Sequence, residues 1–167
     1  MSGSALGCGD DTAEFFHSPA GEGYLIWGND MNEGGAFVGR TVLEAVQKNR
    51  NKVELRMGAY RHDDEGGFLD LGAGEYSEAN GINDFGDVVG VYSGNAGPGF
   101  VYLEGFGLVN LDEAVTGDPD DLAIWFDTDT NTSPQRINDS GQIAGHAYVG
   151  LVGSRQAFLL TPVSDGN

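Results

Sequence analysis

The chain has 167 residues, enough for one ordinary hydrophobic core and short of two. Its 8 basic and 26 acidic residues leave a formal charge of -18, which argues against nucleic acid and anionic lipid as partners because phosphate binding needs a basic surface. A single cysteine excludes an internal disulfide and a cysteine-rich metal cluster, and no apolar run approaches the roughly 18 residues that a membrane-spanning helix needs.

Abundant glycine (28 residues) with little proline (5), and no sustained helical period, predict short strands joined by turns. The expected organisation is a flexible segment over residues 1 to 12, one all-β domain over 13 to 163 and a short tail over 164 to 167. Within the first segment, Ala5-Leu6-Gly7-Cys8 followed by Gly9-Asp10-Asp11 resembles the end of a bacterial lipoprotein signal, a reading in which Cys8 carries the lipid. Phe15-Phe16 and Tyr24 to Trp27 read as two short strands around a Pro/Gly turn.

A nine-residue frame follows and then recurs: MNEGGAFVG at 31 to 39, INDFGDVVG at 82 to 90 and INDSGQIAG at 137 to 145. An apolar residue ends one strand, Asn and an acid make the turn, and Gly closes it. Asn32, Asn83 and Asn138, with Asp84 and Asp139, suit a turn because short polar side chains bond the local backbone. Gly35, Gly86 and Gly141 are expected at positive φ, and the closing Gly39, Gly90 and Gly145 at a bulge or a close backbone approach. Turn chemistry accounts for all of these residues without any further role.

Between the first two frames lies a stretch with two readings. Thr41 and Glu44 form a capping box for a short helix over 42 to 48, whereas Val53, Leu55 and Met57 alternate with charged residues as in a strand. A long hairpin with KNRN at its tip is the favoured reading. Six of the eight basic residues fall between 40 and 61, giving that window +4 and the rest of the chain -22, so a head-to-tail contact with an acidic face of another copy is conceivable beside the plainer reading of a solvated hairpin.

A second pattern pairs Ala59-Tyr60 and Gly67 to Gly72 with Gly99-Phe100 and Gly107 to Asp112 at an offset of 40, and begins again at Ala157 to Leu160. Each full repeat therefore holds four strands. The frames are 51 and 55 residues apart, near the period of propeller blades. The longer second interval contains an acidic insertion after Leu111, of the kind that maps to a loop on a binding face.

INDSGQIAG at 137 to 145, followed by Ala157-Phe158-Leu159-Leu160-Thr161-Pro162, resembles the HAF family of bacterial extracellular repeat proteins. The likeness covers most of residues 31 to 163, is specific in the last two copies and is degenerate in the first, where Met31, Glu33 and Ala36-Phe37 depart from it. It implies an extracellular or cell-surface repeat protein, propeller-like and without established activity, and brings no catalytic residues. Propellers close with about 4 to 8 blades. About three four-stranded antiparallel units predict either a homo-oligomer whose copies complete a ring, or an assembly that continues by strand pairing. A β-prism-like monomer is the structural alternative.

Few constellations suggest chemistry. Asp127, Asp129 and Asn131 in DTDTNTS have the oxygen spacing of a calcium loop, with Asp118, Asp120 and Asp121 nearby, but Thr132 stands where that loop needs Gly and Asn138 where it needs Glu. Calcium is therefore the one candidate cofactor. His17, His62 and His146 are scattered, and only His62 sits beside acids, Asp63 and Asp64. No GxSxG elbow, Cys-His pair or phosphate-binding Gly loop stands in its required setting. Trp27 and Trp125 are aromatic candidates for sugar stacking, and Trp125 lies in the insertion. The favoured expectation is a non-enzymatic surface module that binds a glycan or a surface protein and self-associates. A structural subunit of an extracellular polymer is the alternative, and a hydrolase using a distant carboxylate pair carries the least weight.

Overall fold

The computed structural model describes residues 16–22, 24–92, 98–115, 132–149 and 154–163. The fold is all-β, in three antiparallel sheets. The first sheet runs β1 (Ile26–Met31), β2 (Phe37–Asn49), β3 (Lys52–Asp63) and β4 (Gly67–Asp70), each strand beside the next in sequence. The second repeats this meander with β5 (Glu78–Ile82), β6 (Val88–Val91), β7 (Gly99–Leu103) and β8 (Gly107–Asn110). A single helical turn, α1 (Leu111–Ala114), follows it. The third sheet has β9 (Thr132–Ile137), β10 (Ile143–Val149) and β11 (Ser154–Leu160).

Each sheet begins with the strand that leads into the Asn-acid-x-Gly turn. Taken as aromatic strand, Asp-Leu or Asn-Leu strand, strand into the turn and return strand, the unit read from the sequence starts two strands away from the sheet, and its boundary is corrected accordingly. A cyclic repeat has no internal mark of where its unit starts; here the start is set by which strands hydrogen-bond into one sheet. Residues 42 to 48 belong to β2, and the helical alternative is excluded. Their backbone groups pair with β3 from Phe37↔His62 out to Asn49↔Lys52, with bulges near Leu43 and Lys48. Cross-strand charge pairs accompany this hairpin and the next, Lys48 to Glu54 at 2.9 Å between β2 and β3 and Arg56 to Asp70 at 2.8 Å between β3 and β4. Ahead of β1, residues 16–22 form no strand but an isolated bridge, Ser18 to Gly21, around Pro19-Ala20. The Ser18 hydroxyl donates to the Val42 carbonyl and ties this turn to β2.

The sheets stack face to face in chain order, with β5 against β1, β2 and β3, and β9 against β5, β6 and β7. This is a propeller-like succession of three blades. Alternation along each strand supplies the two faces. In β6, Val88 joins Val38, Ala59, Ile82 and Phe100 between the first and second sheets. Its neighbour Val89 joins Val101, Leu111, Ile137 and Ile143 between the second and third. The middle sheet is thus covered on both faces. Each Val or Ile buried this way contributes about 1.5–3 kcal/mol.

Candidate functional site

The site is built from the turns. In each, the Asn N–H donates to the carbonyl four residues on, Ala36 at 3.0 Å, Asp87 at 3.1 Å and Gln142 at 3.1 Å. The closing glycine N–H returns to the Asn carbonyl, and Gly35, Gly86 and Gly141 have φ of 84°, 85° and 71°, a region costly for any residue with a Cβ. The Asn amide oxygen accepts from its own turn, as Asn83 does from Phe85 and Asp87 at 3.1 and 2.9 Å. That leaves the amide nitrogen for the neighbouring sheet. Asn32 Nδ2 donates to the Asn83 carbonyl at 3.1 Å, and Asn83 Nδ2 to the Asn138 carbonyl at 3.2 Å. The acids bind across the same gaps: Asp84 Oδ1 accepts from the Glu33 N–H at 2.8 Å, and Asp139 Oδ1 from the Asp84 N–H at 3.0 Å. The turns therefore form a ladder with a direction, donors on one turn and acceptors on the next.

Three residues before each turn Asn, the strand carries one extra residue. Gly28 and Asp30 pair with Gly39 and Val38, leaving Asn29 unpaired; Ala79 and Gly81 pair with Gly90 and Val89, leaving Asn80. In β9, Pro134 and Arg136 pair with Gly145 and Ala144, leaving Gln135. The closing glycines face these bulges, where a Cβ would stand 1.7 Å from the Trp27 carbonyl oxygen, 2.2 Å from that of Glu78 and 2.5 Å from that of Ser133. The bulged amides also cross between sheets: Asn29 Nδ2 donates to the Ala79 carbonyl and Asn80 Nδ2 to the Pro134 carbonyl, both at 2.8 Å. Gln135, in the last sheet, turns back to Ser133 Oγ at 2.8 Å.

These amides line a polar cleft of about 420 Å³ to which all three sheets contribute, together with Glu78, Ser133, Arg136, His146 and Arg155. Arg136 spans the cleft, donating to the Asn80 carbonyl at 2.8 Å and standing 3.8 Å from Asp30 in the first sheet. Glu78 is held 3.7 Å from Arg40. Burial, and then the nearby Arg155 charge, lower the His146 pKa below its ordinary value, so the imidazole is neutral at pH 7. Amides, a hydroxyl, a carboxylate and guanidinium groups equip the cleft for hydrogen bonding to a hydroxyl-rich ligand. A second groove, apolar and about 460 Å³, extends the core between the second and third sheets past Leu103, Leu111, Leu160 and Pro162.

The other candidates lie elsewhere. His62 is packed among Phe16, Phe37 and Phe68, stacked on Phe37 at 4.8 Å, and its Nδ1 has no partner. The adjacent Asp63 accepts the Glu65 N–H at 3.1 Å and so closes its own turn. His17 is exposed, 4.0 Å from Glu22. Trp27 is partly exposed on β1 with the Arg40 guanidinium 4.7 Å above its ring. Cys8, Trp125, Asp127, Asp129 and Asn131, with Asp118, Asp120 and Asp121, fall outside the described residues. Among the described residues no group of three His, Cys, Asp or Glu is placed to hold a metal ion. The bulged amides are the residues that sequence reasoning missed, although an Asn or Gln three positions before the turn Asn in every copy was the available signal.

Comparison with known proteins returned no matching family model, no matching curated protein and no matching solved structure.

Proposed function

We propose that this chain is a non-catalytic, extracellular or cell-surface β-repeat module that binds a glycan in the polar cleft and associates with copies of itself. The observation that carries the reading is the convergence of Asn29, Asn80 and Gln135, from three different sheets, beside Glu78 and Arg136. Planar amides, carboxylates and guanidinium groups form paired hydrogen bonds with vicinal hydroxyls, and an open cleft admits one or two sugar rings. The resemblance of residues 137 to 163 to HAF repeats supports the surface location. Trp27, partly exposed on β1, offers a stacking surface near the same strands.

A glycan array followed by titration calorimetry tests this. The expected result is binding to neutral or weakly acidic glycans, with Arg136→Ala weakening it at least tenfold. A chain that binds no glycan, or whose binding is untouched by Arg136→Ala and Gln135→Ala together, contradicts the reading. Calcium at Asp127, Asp129 and Asn131 is a separate proposal. It predicts a heat of calcium binding that Asp127→Asn with Asp129→Asn removes.

A structural subunit of an extracellular polymer is the second reading, favoured by the terminal sheets, each of which has no neighbouring sheet on one face among the described residues. It predicts particles whose size grows without limit as concentration rises.

A further inference from the structure

The three repeats make the same join twice, first sheet to second and second to third, and the positions that take part are known from those two joins. The strand residue before the turn is buried where a sheet precedes it: Ile82 is 5% exposed and Ile137 8%. Its counterpart in the first sheet, Met31, is 67% exposed. On the opposite face, Val101 in the second sheet is 7% exposed against the third, whereas its counterpart Leu159 in the third sheet is 63% exposed. Val38 and Val89 are both at 0%, and their counterpart Ala144 is exposed. The two ends of the stack thus carry the two unmatched halves of one interface.

Their polar groups are complementary in the same sense. Within the chain each turn gives an acid N–H and an Asn amide to the next turn, and each bulged amide reaches the carbonyl just before the next bulge. At the first sheet the acceptors meet no donor from a preceding sheet among the described residues: the exposed Glu33 carboxylate, the Asn32 carbonyl, which takes only the Gly35 N–H of its own turn, and the carbonyl of Gly28, which stands where Ala79 and Pro134 stand. At the third sheet the donors meet no next sheet among the described residues: Asn138 Nδ2 keeps the in-turn bond to Gln142 at 2.9 Å, the counterpart of the Asn83 bond to Asp87 at 3.1 Å, and so has its second amide hydrogen over, and Gln135 donates within its own strand to Ser133. Phe16 lies over Phe37 and His62, so the outer half of the first sheet is already covered by its own chain. The inner half, at β1 and the first turn, is open.

We infer that the third sheet of one copy packs on the first sheet of a second copy, turn against turn, and that two copies close a ring. The inference rests on the self-association half of the proposed function. For these 167 residues closure with two follows from counting: propellers close with about 4 to 8 blades, and with the three sheets of the described residues only two copies fall in that range. The contact is heterologous, head to tail, and joins sheet faces rather than strand edges.

Sedimentation velocity on the full chain and two variants tests it. Met31→Arg blocks the head and Leu159→Arg the tail, and both side chains are already exposed within a single chain; a far-UV circular dichroism spectrum matching the unaltered chain, with a cooperative melt, confirms that the variants fold. The unaltered chain is expected at twice its 17.6 kDa mass, and each variant alone as a monomer. An equal mixture of the two variants regains a dimer, because one intact head meets one intact tail, with affinity at least tenfold weaker for having one join in place of two. An unaltered chain that stays monomeric, a dimer indifferent to both variants, growth beyond two copies, or variants that do not rescue each other would each overturn the inference. A monomer that binds glycan sinks the join alone, and a closed dimer that binds none sinks the cleft reading alone.

Discussion

Tyr60 shows how one residue reports on the fold. It is fully buried in β3, its hydroxyl donating to the Trp27 carbonyl at 3.1 Å, and burial pushes its pKa from 10.0 up to about 12. The phenol must stay neutral in the folded state, so its contribution is whole below pH 10 and is lost as pH rises from 10 toward 12. The loss amounts to roughly 2–3 kcal/mol at full ionisation. Tyr60→Phe is expected to cost about 1 kcal/mol at pH 7 and to flatten the alkaline decline, which urea unfolding at pH 7 and pH 11 measures. A decline of unchanged slope in that variant would assign it to other groups. Gly90 is the second such residue. A Cβ there would stand 2.2 Å from the Glu78 carbonyl oxygen and 2.5 Å from the Phe100 ring, so Gly90→Ala is expected to cost about 3 kcal/mol in the same assay.

At the scale of the element, the Asn turn serves its own hairpin and also fixes the register between sheets. Asn83→Ala removes the acceptor for Phe85 and Asp87, the donor to the Asp87 carboxylate and the donor to Asn138 in the next sheet, and is expected to cost about 2–3 kcal/mol. Asn138→Ala removes only bonds within its own turn and is expected to cost about 1 kcal/mol. Thermal unfolding of both checks the order; equal losses would mean that the ladder adds nothing beyond each turn. The turns were legible in the sequence because their chemistry is local: Asn and Gly at fixed spacing determine hydrogen bonds that span four residues. The hairpin over 37–63 was legible through its period of two. The start of the unit was not, since it depends on which strands pair. Gly39, Gly90 and Gly145 signalled a bulge or a close approach, but not that the extra residue sits on the facing strand at Asn29, Asn80 and Gln135, because the partner strand decides that.

At the scale of the whole molecule, the cleft could not be read in advance, because its residues come from frames 51 and 55 positions apart and meet only when the sheets stack. The stacking itself follows from the repeat: each sheet offers an apolar face and a row of donors to the next, and a middle sheet consumes both. Among the described residues three such sheets leave one face over at each end, with Met31 and Leu159 exposed where the equivalent Ile82 and Val101 are covered. Burying two large apolar side chains at each join, with the turn ladder continued across it, favours association. The negative net charge opposes it over distance, so added salt should tighten the dimer by screening like-charge repulsion. The mass of the unaltered chain by light scattering across a concentration series decides the matter most directly. A constant value of twice 17.6 kDa is the result expected for a ring of two, and a constant 17.6 kDa would contradict it.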